Sequence, residues 1–158
     1  MNLPPFFEPG HSVEIGSHRF DAEDIVRFAT RYDPQPFHID PEKAKNSLFG
    51  GHCASGWHTI SVWMRKQRDF SAQALVQWVA AGNPPYEYGP SPGFDNLVWS
   101  SPVYAGDTVR FVNTTIAGRA SNSRPGWYVI SGRQQGFKGE SQQVLSVESS
   151  VFIRYPAA

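Results

Sequence analysis

The stretch Trp57-His58-Thr59-Ile60-Ser61-Val62-Trp63-Met64-Arg65-Lys66-Gln67-Arg68 decides how the rest of this chain is read. Trp57, Ile60 and Met64, joined by Trp63, recur at helical spacing and mark a buried side. The pattern resumes over residues 71–80, where Leu75, Val76 and Val79 repeat it. Between the two runs, Asp69-Phe70-Ser71 marks either a kink or a fresh cap. No other stretch offers so long an apolar helix, so this one is the core helix. The chain beyond it differs in kind. Residues 83–93 hold Pro84, Pro85, Pro90 and Pro92 and read as loop. Beyond them, residues 97–100, 108–117, 127–135 and 142–154 are rich in Val, Ile, Thr and aromatics, and turn residues separate them. These are strands, joined by hairpin connections at 118–126 and 136–140.

The chain before the core helix is shorter in its elements. Residues 1–10 are Pro-rich and form an arm. Residues 12–20 alternate loosely and predict a short strand. Residues 21–32 predict a helix with Asp21 as its cap and with Ile25, Val26, Phe28, Ala29 and Tyr32 on one face. That helix stops at Asp33, because Pro34 comes next. Asp40 then caps one more turn, opened by Pro41. One strand, then helices, then hairpin-linked strands give an α+β layout: a mostly antiparallel sheet backing or wrapping one long helix.

Composition narrows the function. The 158 residues make one domain, 1–158, large enough for a real core, and 40% of them are hydrophobic. Lys+Arg and Asp+Glu are both 14, so the formal charge is zero, which argues against a nucleic-acid binder. Residues 1–10 lack a basic region followed by an apolar run, and no apolar stretch approaches the ~20 residues of a membrane span. Cys53 is the single cysteine, so no internal disulfide forms and the cytoplasm is the expected compartment.

Chemistry concentrates between two helices, in Tyr32-Asp33-Pro34-Gln35-Pro36-Phe37-His38-Ile39-Asp40-Pro41. A carboxylate, Asp33, and an imidazole, His38, stand on a proline-stiffened segment that reads as non-helical. An extended path advances ~3.1 Å per residue, so the two side chains meet only if the chain bends between them. Alone, Asp33 also reads as a helix end and His38 as a structural histidine. His52, Cys53 and His58 cluster nearby, but their spacing matches no zinc pattern, so no metal is expected. Nothing marks Cys53 as an activated nucleophile.

Asp33-Pro34-Gln35-Pro36-Phe37-His38 resembles the Asp-x-Asn-Pro-x-His signature of MaoC-like dehydratases, the (R)-specific enoyl-CoA hydratase group. Phe49-Gly50-Gly51 through Ala54-Ser55-Gly56-Trp57-His58-Thr59 resembles the turn and glycine-led core helix of that family. Ser101-Pro102-Val103-Tyr104-Ala105-Gly106-Asp107-Thr108 and the hairpin Ser123-Arg124-Pro125-Gly126 continue the likeness, from about residue 21 to 155. Tyr32 stands where the family usually has Gly, and Gln35 where it has Asn. The resemblance implies a hotdog fold, an antiparallel sheet wrapped around one long helix, paired into a homodimer or a higher homo-oligomer. It implies hydration of trans-2-enoyl-CoA to (R)-3-hydroxyacyl-CoA, or the reverse, with Asp33 and His38 acting on one water. The Gly56 backbone N–H would then stabilise the thioester oxygen. The partner implied is an acyl-CoA substrate, with no nucleic acid, no membrane and no cofactor beyond the coenzyme A of the substrate. Tyr86, Tyr88 and Phe94 on the proline-rich loop are candidate walls for the acyl group. Arg124, with Arg119 and Arg133, is either a phosphate contact or solvated charge. A hotdog thioesterase and a non-catalytic acyl-CoA-binding module are the competing readings.

Overall fold

The computed structural model of the chain describes residues 3–155. Among these, six strands form one sheet in which every pairing is antiparallel. The strands are β1 (Ser12–Arg19), β2 (Glu87–Tyr88), β3 (Gly93–Val98), β4 (Thr108–Ala120), β5 (Trp127–Lys138) and β6 (Gln142–Arg154). β1, β4, β5 and β6 lie side by side in that order, and both β2 and β3 pair with the far edge of β6. The helices are α1 (Ala22–Tyr32), α2 (Pro36–Ile39), α3 (Pro41–Lys45) and α4 (Gly56–Ala80). The sheet curls around α4.

The long helix departs from expectation in two ways. It runs unbroken for 25 residues, so no fresh cap occurs at Asp69-Phe70-Ser71. No Pro or Gly interrupts it, and Asp69 pairs with Arg65 one turn back, at 3.1 Å. Its buried residues are His58, Thr59, Trp63 and Ser71, while Trp57 and Met64 are half exposed. Trp57, Ile60 and Met64 all face a cavity between α4 and the sheet. That is why an apolar stripe at correct spacing is not the packed one.

Two apolar clusters hold the layers together. Phe20, Ile25, Trp63, Val109, Phe111 and Leu145 form the first, under the N-terminal half of α4. Leu3, Phe7, Tyr86, Ile130, Ile153 and Tyr155 form the second, under its C-terminal half. Complete burial of a side chain such as Phe111 or Leu145 contributes about 1.5–3 kcal/mol. The N-terminal arm joins the second cluster through a short 3-10 turn, Pro5–Phe7.

Smaller differences have local causes. Asp21 takes the N-cap position of α1 but makes no capping bond; its carboxylate binds Arg19 at 3.1 Å instead. Residues 83–93 are not wholly loop, because β2 lies within them and pairs with Arg154 and Ile153. β3 starts at Gly93, earlier than expected, where it meets Ser150 of β6. On α1, Ile25 and Ala29 are buried but Tyr32 is exposed. The segment after Asp33 does contain helix, the single turn α2. Proline bars a helical residue before it, yet Pro36 opens this turn at a position where its missing N–H is not needed.

Candidate active site

That turn supplies the bend the pair requires. Pro34 ends α1 with Asp33 as its C-terminal cap, and Gln35 is extended at φ −73°, ψ 141°. α2 then reverses the chain and brings His38 back. His38 Nε2 lies 3.5 Å from Asp33 Oδ2.

Each partner is held by a fixed group. His38 is 6% exposed, and its Nδ1 lies 2.7 Å from the Cys53 carbonyl oxygen. A carbonyl only accepts, so Nδ1 carries a ring proton, and Nε2 is the ring atom turned toward Asp33. His52 Nε2 donates to the His38 carbonyl at 2.8 Å, which pins the turn itself. Asp33 Oδ2 accepts a hydrogen bond from Ser55 Oγ at 2.6 Å. Ser55 is the N-cap of α4, and its oxygen accepts from Trp57 N–H at 3.2 Å. The hydroxyl proton is therefore free to go to Asp33. The first turn of the long helix and the catalytic candidate are joined through one buried hydroxyl.

The loop before α4 is tied to the sheet. Ala54 N–H donates to Val103 O at 2.7 Å and Ala105 N–H to His52 O at 2.9 Å. The Pro102-to-Thr108 stretch is locked in turn by Asp107, which accepts from Tyr104 N–H and from Lys138 Nζ, each at 2.8 Å. Gly56 is the first helical residue. Its N–H makes no hydrogen bond among the described residues, as expected for a helix start. The Trp99 indole lies directly over its Cα, and an added Cβ would sit 2.4 Å from Trp99 Cε2. A side chain at position 56 would therefore have to displace the indole or the helix start.

Asp33, His38, Ser55 and Gly56 all line one cavity of about 420 Å³, with Trp57 and Trp99 also on its wall. The imidazole Nε2 and the carboxylate border it beside a helix N-terminus. Such a pair suits one water molecule, each group taking one of its hydrogens.

The remaining candidates scatter. Tyr88 and Phe94 line a second, larger cavity. Tyr86 is buried in the second apolar cluster, where burial raises its phenol well above its ordinary range. Arg124 lies exposed in the turn between β4 and β5 and lines neither cavity. Cys53 is buried with its thiol pushed up to about 11 by desolvation, far from a thiolate at neutral pH. His58 stacks on Phe28 at 4.6 Å, and burial, then the nearby His18, lower it to about 4. Among the described residues, no three His, Cys, Asp or Glu side chains are grouped to hold a metal ion. No helix among them is long and apolar enough to cross a membrane.

Ser55, the Cys53 carbonyl and Trp99 were not singled out from sequence. The reach of Ser55 to Asp33, 22 residues earlier, is a property of the fold.

Comparison with known proteins decides the family. A model of the MaoC-like domain matches residues 6–123. The chain belongs to the MaoC-like dehydratase family. The MaoC-like dehydratase of Rhodospirillum rubrum is similar to it in crystal structure, at 30% identity over 95% of each chain, with a TM-score of 0.76. The (R)-hydratase from A. caviae involved in PHA biosynthesis shares the fold, with a TM-score of 0.62 at 19% identity, over 94% of this chain and 97% of that one. The curated protein YdeM of Bacillus subtilis (strain 168), uncharacterized, is 39% identical over 56 residues, which are 35% of this chain and 40% of that protein. The chain thus matches less than half the length of that relative. The curled antiparallel sheet around α4 is the hotdog fold, and within this MaoC-like domain the Asp33–His38 turn precedes the glycine-led helix as the motifs anticipate.

Proposed function

We propose that this chain is a hydro-lyase that adds water to a trans-2-enoyl thioester to give the (R)-3-hydroxyacyl thioester, or runs the reverse dehydration. The observation that carries this reading is the convergence of His38 Nε2 and Asp33 on one cavity beside the free Gly56 N–H. Water held between the two acceptors loses a proton to the pair as its oxygen bonds to C3. The electron pair of the double bond moves toward the carbonyl, and the Gly56 N–H stabilises the resulting charge on the thioester oxygen. The pair then returns a proton to C2, so no other reactant is consumed. Ser55 keeps the carboxylate from rotating away while this happens. The substrate is an acyl thioester, taken here as acyl-CoA, and the reaction needs no cofactor beyond the coenzyme A carried by the substrate. The lone, buried Cys53 fits a cytoplasmic setting.

The working unit is a homodimer. Among the described residues β3 pairs only with β6, which leaves its outer backbone edge open, and Phe94, Val98 and Trp99 beside it are each at least 42% exposed. An open apolar edge of this kind favours pairing with a second copy. Sedimentation of the purified chain as a dimer is the expected result; a monomer at micromolar concentration would remove this part.

The activity test uses crotonyl-CoA. Loss of the enoyl chromophore without release of free thiol is expected. Release of thiol with the enoyl group intact would make the protein a thioesterase instead. Binding with neither reaction would leave an acyl-CoA-binding module.

A further inference from the structure

The larger cavity, about 510 Å³, lies between α4 and the inner face of the sheet. Trp57 lines both this cavity and the smaller one. The larger one runs along α4 from Trp57 to Arg68. From Gly56 to Gln67 the helix rises about 16 Å, which sets the reach of a ligand anchored at the Gly56 N–H.

The wall is not what a plain hydrocarbon chain would require. The two apolar clusters of the core are separated here by a strip of polar side chains on the inner face. Most of these satisfy one another. Trp63 Nε1 donates to Asn113 Oδ1 at 2.9 Å, Asn113 donates to Gln67, and Gln67 Nε2 donates to Ser71 Oγ at 2.9 Å. Gln134 is different. It is 6% exposed, and its Oε1 accepts from Ser149 Oγ at 3.1 Å. Its Nε2 makes no hydrogen bond among the described residues, yet it is not sealed in protein, because Gln134 lines the cavity. Gly132, two residues earlier on β5, leaves the space: a Cβ there would lie 3.0 Å from that nitrogen. An unpartnered amide donor on a buried side chain thus sits over Gly132 at the wall of a ligand-sized space, with its other end already engaged.

We propose that this cavity receives the distal part of the acyl group and that Gln134 selects chains carrying an oxygen acceptor, a keto or ether oxygen, over plain methylene chains. The inference rests on the hydratase reading for the way the ligand enters. An all-methylene chain would strip water from the Gln134 N–H and return nothing, and sites built around such a donor discriminate strongly against partners that lack the acceptor. Gln134 acts on specificity, remote from the reacting carbons.

The test uses trans-2-decenoyl-CoA and a series of ethers of the same length, with one methylene replaced by oxygen at successive positions beyond C5. kcat/KM is read from the enoyl chromophore. Affinity is read separately by calorimetry with the saturated thioesters, which cannot react. At one oxygen position, a gain of at least ~10-fold over decenoyl-CoA is expected in both readouts. Gln134→Leu should abolish that gain, and Gln134→Met provides a second apolar variant should the first fold poorly. If the wild type shows no preference at any position, or the variants keep it, the inference fails. If no thioester is turned over but calorimetry still shows a preference that Gln134→Leu removes, the hydratase reading falls and the cavity assignment stands.

Discussion

The two cavities that share Trp57 are built from different materials. In the smaller one, each reactive group is fixed by something that cannot swing. The Cys53 carbonyl holds the His38 proton, the helix-capping Ser55 holds Asp33, and the donor is a backbone amide at the start of α4. In the larger one, the walls are long side chains, Met64, Gln67, Arg68 and Gln134, on rigid elements. Under the proposed function, the difference separates two tasks. Chemistry needs groups held to fractions of an ångström, which backbone atoms and caps provide. Recognition of a variable chain needs shape and a few donors, which side chains provide without touching the catalytic geometry.

Substitutions at the smaller cavity should therefore cost far more than those at the larger. The largest effect is expected for Gly56→Ala. Its Cβ would collide with Trp99, so the helix start must shift, and crotonyl-CoA hydration should fall by at least ~100-fold, as for loss of an oxyanion donor. Near-normal turnover in Gly56→Ala would show that the indole gives way to the added methyl and leaves the helix start where it is. Next is the frame behind the site. His58, depressed from 6.5 to about 4, is neutral in the fold and binds a proton more readily when unfolded. Its contribution is intact above pH 6.5 and is lost as pH falls toward 4, by roughly 2–3 kcal/mol. Denaturant melts at pH 7.5 and 4.5 should show this loss, and His58→Leu should flatten it; an unchanged pH slope in the variant would locate the sensitivity elsewhere.

Ser55→Ala comes third. It removes a helix cap, worth about 1 kcal/mol of stability, and frees Asp33 to rotate. A drop of roughly tenfold in kcat, with KM little changed, is expected for a positioning residue. A change confined to stability would reduce Ser55 to a cap. The smallest effect is expected for Met64→Ala. Met64 faces a cavity and is 48% exposed, so thermal stability should change by less than about 1 kcal/mol. A loss of the 2–5 kcal/mol typical of core positions would show that the larger cavity is closed in solution.

Much of the fold was legible because the signals were local. The Asp40–Pro41 cap is one example: Asp40 Oδ1 accepts from Glu42 N–H at 3.0 Å and Lys43 N–H at 3.1 Å, as the residue types dictate. The starts of β4, β5 and β6 are another, at residues 108, 127 and 142 as expected. β4 nevertheless runs on to Ala120 and β5 to Lys138, inside the stretches read as hairpin connections, because strand pairing continues where composition turns to Gly and Lys. The pair at the site was legible because Asp33 and His38 are close in the chain. What failed depended on contacts from afar. The apolar stripe Trp57, Ile60, Met64 has the periodicity of a core face, and periodicity cannot tell a packed face from a cavity wall. The helical turn α2 was missed because proline was read as excluding helix on both sides, when it excludes it only before itself. Ser55 is a helix cap; its second bond exists only because α1 ends beside the start of α4.

The central claim is that Asp33 and His38 grip one and the same water, and a double-mutant cycle on kcat tests it most directly. Asp33→Asn and His38→Gln should each lower hydration of crotonyl-CoA by at least ~100-fold, and the double variant should be barely worse than either single one, because groups that act as a unit are lost together. Losses that multiply in the double variant would mean the two side chains act at separate points, and the shared water would have to be abandoned.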